Sequence, residues 1–156
     1  MNAQSGVAAL ALLLAPPAAQ EAAIRGGGQV AIGGESYGFT PLSLNLAAAA
    51  PGSKGARAFQ LKGELRKEGP PIEFELTGLQ PGRIYMLTLQ RRTRNGLDVW
   101  AATLKTEMRI ETFEPVLGGR LQLRLSGPLT GAVGGQTVHT AWKGGIWATF
   151  SGAPER

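Results

Sequence analysis

Arg83-Ile-Tyr-Met-Leu-Thr-Leu-Gln-Arg-Arg-Thr-Arg-Asn-Gly-Leu-Asp-Val-Trp-Ala-Ala-Thr-Leu104 reads as a long β-hairpin, and its reading decides the fold. Asn95-Gly96 is the turn signal, because both central residues of a type I′ turn need positive φ. A turn there sets Arg91 opposite Trp100, Leu89 opposite Ala102 and Leu87 opposite Leu104. Side chains alternate along a strand. One face therefore collects Tyr85, Leu87, Leu89, Trp100, Ala102 and Leu104, and the other Met86, Thr88, Gln90, Arg92, Ala101 and Thr103. A slip of one residue would turn the leucines into water. Trp100 is read as core or core edge, with the Arg91 guanidinium over its indole and its charge reaching solvent.

The rest of the chain repeats this grammar. Gln29–Thr40 reads as a hairpin with a turn at Gly34-Glu35 that puts Val30, Ile32, Tyr37 and Phe39 on one face. Pro41–Leu46 alternates as a further strand, followed by a small-residue loop over Ala47–Gly55. Ala58–Arg66 and Ile72–Gly78 form another hairpin. With Lys67–Pro70 as its loop, Lys62 faces Glu75, Glu64 faces Glu73 and Gly63 lies under Phe74. Leu79-Gln-Pro-Gly82 suits a type II turn. Met108 and Ile110 alternate with Arg109 and Glu111, and Leu121, Leu123 and Leu125 mark another strand before a glycine-rich loop over Gly127–Gly135. Thr137–Phe150 reads as a last hairpin turning at Gly144-Gly145, which would pack Trp142 against Trp147 and set His139 across from Phe150.

The chain has 156 residues, a length that suits one domain, and 43% of them are hydrophobic, enough for a core. The 23 glycines and 10 prolines imply many turns. Without cysteine there is no disulfide, thiolate metal site or thiol nucleophile. The formal net charge of +5 favours anionic partners without choosing among them. Residues 1–24 stand apart. An apolar run from Val7 to Ala15 is broken by Pro16-Pro17, and Ala18-Ala19 offers small residues for cleavage. This resembles a bacterial Sec-type secretory signal, although no Lys or Arg precedes the run. The run is too short to span a membrane as a helix. Residues 25–156 are then a single exported domain, periplasmic or extracellular.

Candidate chemistry is sparse. His139 is the only histidine and Asp98 the only aspartate, and no serine sits at a strand-to-helix elbow. Glu73 and Glu75 are a carboxylate pair, but Lys62 and Arg66 beside them favour the ionised form, whereas a general acid needs its pKa raised. No enzyme activity, metal or cofactor is expected. The better candidates are binding residues: Trp142 and Trp147 as an aromatic pair that stacks on sugar rings or else staples the core, Trp100, and Arg91, Arg92 and Arg94 as a cationic hairpin tip. No nucleic-acid-binding motif is present.

The expected fold is all-β, an antiparallel sandwich of jelly-roll or Greek-key type, with about ten strands built from hairpins. The expected function is a non-enzymatic binding or structural module of the cell envelope, its partner a protein or an anionic surface glycan. Two alternatives accompany it. One is a module that binds carbohydrate or anionic polymer through exposed Trp and Arg; the other is a small outer-membrane β-barrel.

Overall fold

The computed structural model describes residues 22–47, 57–80 and 82–152. The expected leader up to residue 21, the small-residue loop over 48–56 and the type II assignment at Pro81 lie outside the described residues. Among the described residues, nine strands run in chain order: β1 (Gly26–Ile32), β2 (Glu35–Ala47), β3 (Ala58–Arg66), β4 (Ile72–Leu79), β5 (Arg83–Thr93), β6 (Gly96–Ala102), β7 (Glu107–Phe113), β8 (Arg120–Val133) and β9 (Gln136–Thr149). Strands consecutive in the chain pair antiparallel, except β6 and β7, and β1 also pairs β9. Pairing of β6 with β8 completes a closed eight-stranded barrel.

The all-β class expected from sequence holds, but the sandwich does not. Two of the expected breaks are not breaks. β8 runs straight through Gly127–Val133, and β9 runs straight through Gly144-Gly145. Strands this long can tilt and stagger enough to close the sheet on itself, which removes the edges that a sandwich keeps. The two glycine pairs that do turn the chain carry positive φ at both residues, 61° and 86° at Gly33-Gly34 and 59° and 78° at Gly134-Gly135. Gly144 serves another purpose. A Cβ there would overlap the Gln29 carbonyl oxygen and sit 2.8 Å from Val30 Cα, so glycine lets β1 and β9 lie in contact. Trp142 therefore pairs with Gly127 and Ile32, while Trp147 pairs with Gln122 and Gly27, and the two indoles never meet. His139 pairs with Thr130, not Phe150, and is exposed.

Other registers follow the sequence more closely. The β3–β4 hairpin has the expected pairs Lys62–Glu75, Gly63–Phe74 and Glu64–Glu73. In β1–β2 and β5–β6 the turn falls one residue early. Val30 faces Tyr37, Leu89 faces Trp100 and Arg91 faces Asp98. Moving a two-residue turn by one position shifts the pairing by two, so each face keeps its members. Neither Arg94 nor Asn95 has positive φ, so the expected type I′ turn is absent; only Gly96 departs, at 141°. The ladders shift register at three places, in β2–β3, β4–β5 and β7–β8, and the first two each turn an apolar side chain outward. One lies between Pro41 and Ser43, so β2 is a single bent strand with Leu42 turned outward. The other lies opposite Thr77/Gly78, where Tyr85 is the extra residue on β5; it is expelled to solvent and Ile84 turns inward.

The barrel is filled. Phe39 packs edge-on to Phe74 at 5.3 Å, and Phe74 stacks on Trp142 at 6.4 Å across the middle. Phe113 joins Phe59 and Phe150 at the end where the chain enters and leaves. Leucines from β3, β4, β5 and β8 occupy the space between. Outside stand Lys62, Glu73, Glu75, Thr88, Gln90, Arg92 and Arg124.

Candidate functional site

One position in the barrel wall is shared by two strands. The same edge of β8 pairs first with β7, from Phe113–Leu121 to Glu107–Ser126, and then with β6, from Ala102–Leu129 to Val99–Ala132. β5 pairs with β6 only over Leu89–Thr93. Upstream of that, Arg83–Thr88 pairs with β4 on one side and, among the described residues, with no strand on the other. β7 returns to β5 at Gly82, where an added Cβ would lie 3.2 Å from the Met108 carbonyl oxygen. Between these two closures the wall opens into a slot of about 800 Å³.

The slot's floor is apolar, made by Ile84, Leu87, Ala102 and Met108. Its rim carries Tyr85, which is 73% exposed, together with exposed Met86 and Leu104. Leu104 sits on the β6–β7 turn, and that turn is fixed. Thr106 Oγ1 accepts from Thr103 N at 2.7 Å and donates to the Pro128 carbonyl, while Lys105 N donates to Thr103 Oγ1 at 3.1 Å. Leu104 is thus held in water by an ordered turn, beside an exposed tyrosine and methionine. The cations Arg83, Arg109 and Arg124 line the slot against Glu107. Glu111 bridges Arg109 at 3.6 Å and Arg124 at 3.3 Å, and Arg83 joins no ion pair among the described residues.

The residues singled out from sequence are dispersed. Trp142 is 1% exposed in the barrel centre, with its indole N–H donating to the Ser126 carbonyl at 3.3 Å. Trp147 lies on the outer wall under the Arg120 guanidinium, 4.1 Å from its ring. Trp100 is buried, and Arg91 does cover it, at 5.4 Å. The same Arg91 donates to Asp98 at 3.1 Å, and the other Asp98 oxygen accepts the Gly134 N–H at 3.0 Å. That backbone hydrogen bond, followed by the contact with Arg91, holds the Asp98 carboxyl below its ordinary pKa. Asp98 thus ties the β5–β6 turn to the β8–β9 turn, while Arg92 and Arg94 project into solvent. At the same end Lys67 donates to Glu35 at 3.2 Å and lowers that carboxyl's pKa as well, helped by the Tyr37 hydroxyl. Glu73 and Glu75 stand on the outer wall, where the side-chain amides of Gln90 and Gln60 donate to them at 2.8 and 2.9 Å.

The slot was missed because Tyr85 and Leu104 share the parity of the core leucines, and nothing nearby in sequence announces the bulge that expels Tyr85. Met86 was the available signal, an apolar side chain on a face otherwise holding Thr88, Gln90 and Arg92.

Fold and site together define a small closed antiparallel barrel with a filled interior and one breached wall. Compared with protein families, with curated proteins and with solved structures, the chain matches none.

Proposed function

We propose that this is a non-enzymatic binding module of the cell envelope that engages its partner on the outer wall, at the slot between β5 and β7. The observation that carries this reading is the contrast between a barrel interior packed with aromatic and leucine side chains and a wall opening rimmed by exposed Tyr85, Met86 and Leu104. A filled barrel leaves its outside as the place for recognition. Among the described residues no group of three or more His, Asp or Glu is placed to hold a metal ion. Export rests on the apolar run at Val7–Ala15, and sequencing the N-terminus of the chain recovered from the periplasm or medium tests it. A retained Met1 would overturn that part.

The slot is tested with anilinonaphthalene sulfonate, an anionic apolar dye that matches its lining. The purified protein should enhance the dye's fluorescence, and Met86→Glu and Leu104→Glu should each abolish the enhancement without shifting the melting temperature. Enhancement unchanged by either substitution would remove the slot from consideration.

A closed barrel of eight strands also fits the outer-membrane alternative in strand number and closure. The direction of the side chains favours the water-facing reading. A lipid-facing barrel carries an apolar band outside and a polar interior. Here Lys62, Glu73, Glu75 and Gln90 face outward, and the leucines and aromatics face inward. Solubility of the refolded chain without detergent, and its failure to float with vesicles, separate the two.

A further inference from the structure

We infer that the slot takes an extended acidic peptide segment, which adds as a strand along the unpaired edge of β5. The inference rests on the binding-module reading above and names the partner's chemistry. A closed barrel normally leaves no strand edge unpaired. Among the described residues, this one leaves Arg83–Thr88 without a ladder partner on the side away from β4. In an antiparallel ladder alternate residues direct their N–H and C=O groups to opposite sides, so this stretch offers backbone donors and acceptors to an incoming chain. The edge carries a bulge at Tyr85 and a charge at Arg83, yet it stays apolar along most of its length. Its outward residues include Tyr85 and Met86, and it borders an apolar floor of Ile84, Leu87, Ala102 and Met108.

Those features specify the ligand. Backbone pairing supplies affinity in strand addition, and pockets for alternate side chains supply selectivity. The floor takes apolar side chains at alternate positions, and Tyr85, Met86 and Leu104 cover them from the rim. Arg83 and, on the adjoining turn, Lys105 join no ion pair among the described residues and favour carboxylates flanking the apolar residues, whereas Arg109 and Arg124 are already held by Glu111. Positive charge on both partners disfavours a second copy of this chain at the same place. Closure of β7 on β5 at Gly82 limits the inserted strand to the few residues that pair with Ile84–Thr88.

The test uses the full exported chain and a set of fluorescein-labelled heptapeptides. Each has aspartate at both ends and valine, isoleucine, leucine or tyrosine at alternate inner positions. At least one should bind by fluorescence polarisation, tenfold or more tighter than its lysine-ended counterpart. Methylating the backbone nitrogens along one edge of that peptide should weaken it at least tenfold, and along the other edge much less. Hydrogen exchange should slow in residues 84–88 on binding. If the dye binds the slot but no acidic heptapeptide binds at 1 mM, or methylation of either edge is indifferent, strand addition is wrong and the slot reading stands. If dye and peptides both fail to bind, both readings fall.

Discussion

Replacing Gly144 by alanine should cost far more than replacing Gly145, and the difference tests whether β9 is one strand. In the closed barrel an added Cβ at Gly144 meets backbone, not a movable side chain. It overlaps the Gln29 carbonyl oxygen and lies 2.8 Å from Val30 Cα. Relief requires β1 and β9 to part along a ladder that runs from Gly26–Ala148 to Ile32–Trp142 and closes the sheet. Overpacking of a well-filled site costs about 1–3 kcal/mol and occasionally more. Backbone cannot rotate out of the way, so Gly144→Ala should lie near the top of that range, about 3 kcal/mol, or roughly a hundredfold in the ratio of folded to unfolded. At Gly145 the nearest atom to an added Cβ is the Leu123 carbonyl oxygen at 3.8 Å, an ordinary contact, and φ is not positive. Removing a glycine from a strand at such a site gains about 0.4–1 kcal/mol. Urea unfolding followed by tryptophan fluorescence measures both. If Gly144-Gly145 were instead the turn of a terminal hairpin, both substitutions would be unfavourable by similar amounts. That result, or a costlier Gly145→Ala, would refute the closed β1–β9 ladder.

Further expectations concern the core, the Asp98 tie and the slot. Trp142→Ala should destabilise the protein by about 3–5 kcal/mol, as expected when a large aromatic is removed from a filled interior; Trp142→Phe should remove emission that is blue-shifted and protected from acrylamide. Asp98→Ala leaves the Gly134 N–H and Arg91 without their acceptor, at a cost of about 1–3 kcal/mol near pH 7 by urea midpoint. Because the folded Asp98 pKa is lowered, its contribution is complete above the ordinary value of 3.8 and is lost as pH falls through that value toward the folded one. The difference between wild type and Asp98→Asn should therefore shrink on acidification from pH 6 to pH 3, and a difference that grows would contradict the assigned hydrogen bonds. Leu104→Glu should change stability by less than about 0.5 kcal/mol, since the side chain is fully exposed.

Much of the wall was legible in the sequence, and the way it closes was not. Alternation placed Val30, Ile32, Tyr37, Phe39, Phe74, Leu87, Leu89 and Leu121 on the core side, where they lie. These assignments survived even where the turn was put one residue late, because facing residues keep their parity. Glycine pairs were the weak point. Gly33-Gly34 and Gly134-Gly135 turn the chain, while Gly144-Gly145 carries it straight on, and locally the three look alike. What distinguishes the last is Gln29, more than a hundred residues away, whose carbonyl occupies the space a Cβ would need. Reading that pair as a turn broke β9 in two and lost the ladder that seals the barrel. The candidate site suffered from the same blindness to distant partners. The Arg91–Trp100 contact was legible because both residues lie in one hairpin. The slot exists because β6 and β7 divide one edge of β8, and that division is written in no single stretch of the chain.

The pairing of the first strand with the last also governs when this protein can fold. β1 cannot complete its second ladder until β9 has been made, and Ala22 meets Ser151 there, its N–H 2.9 Å from the Ser151 carbonyl. Contacts so distant in sequence slow folding, because the chain must close a long loop before they are rewarded. A growing polypeptide would stay open until β9 has been made. Closure of the barrel thus waits on its ninth strand, and until then β1 keeps one edge open to any other chain that could pair with it.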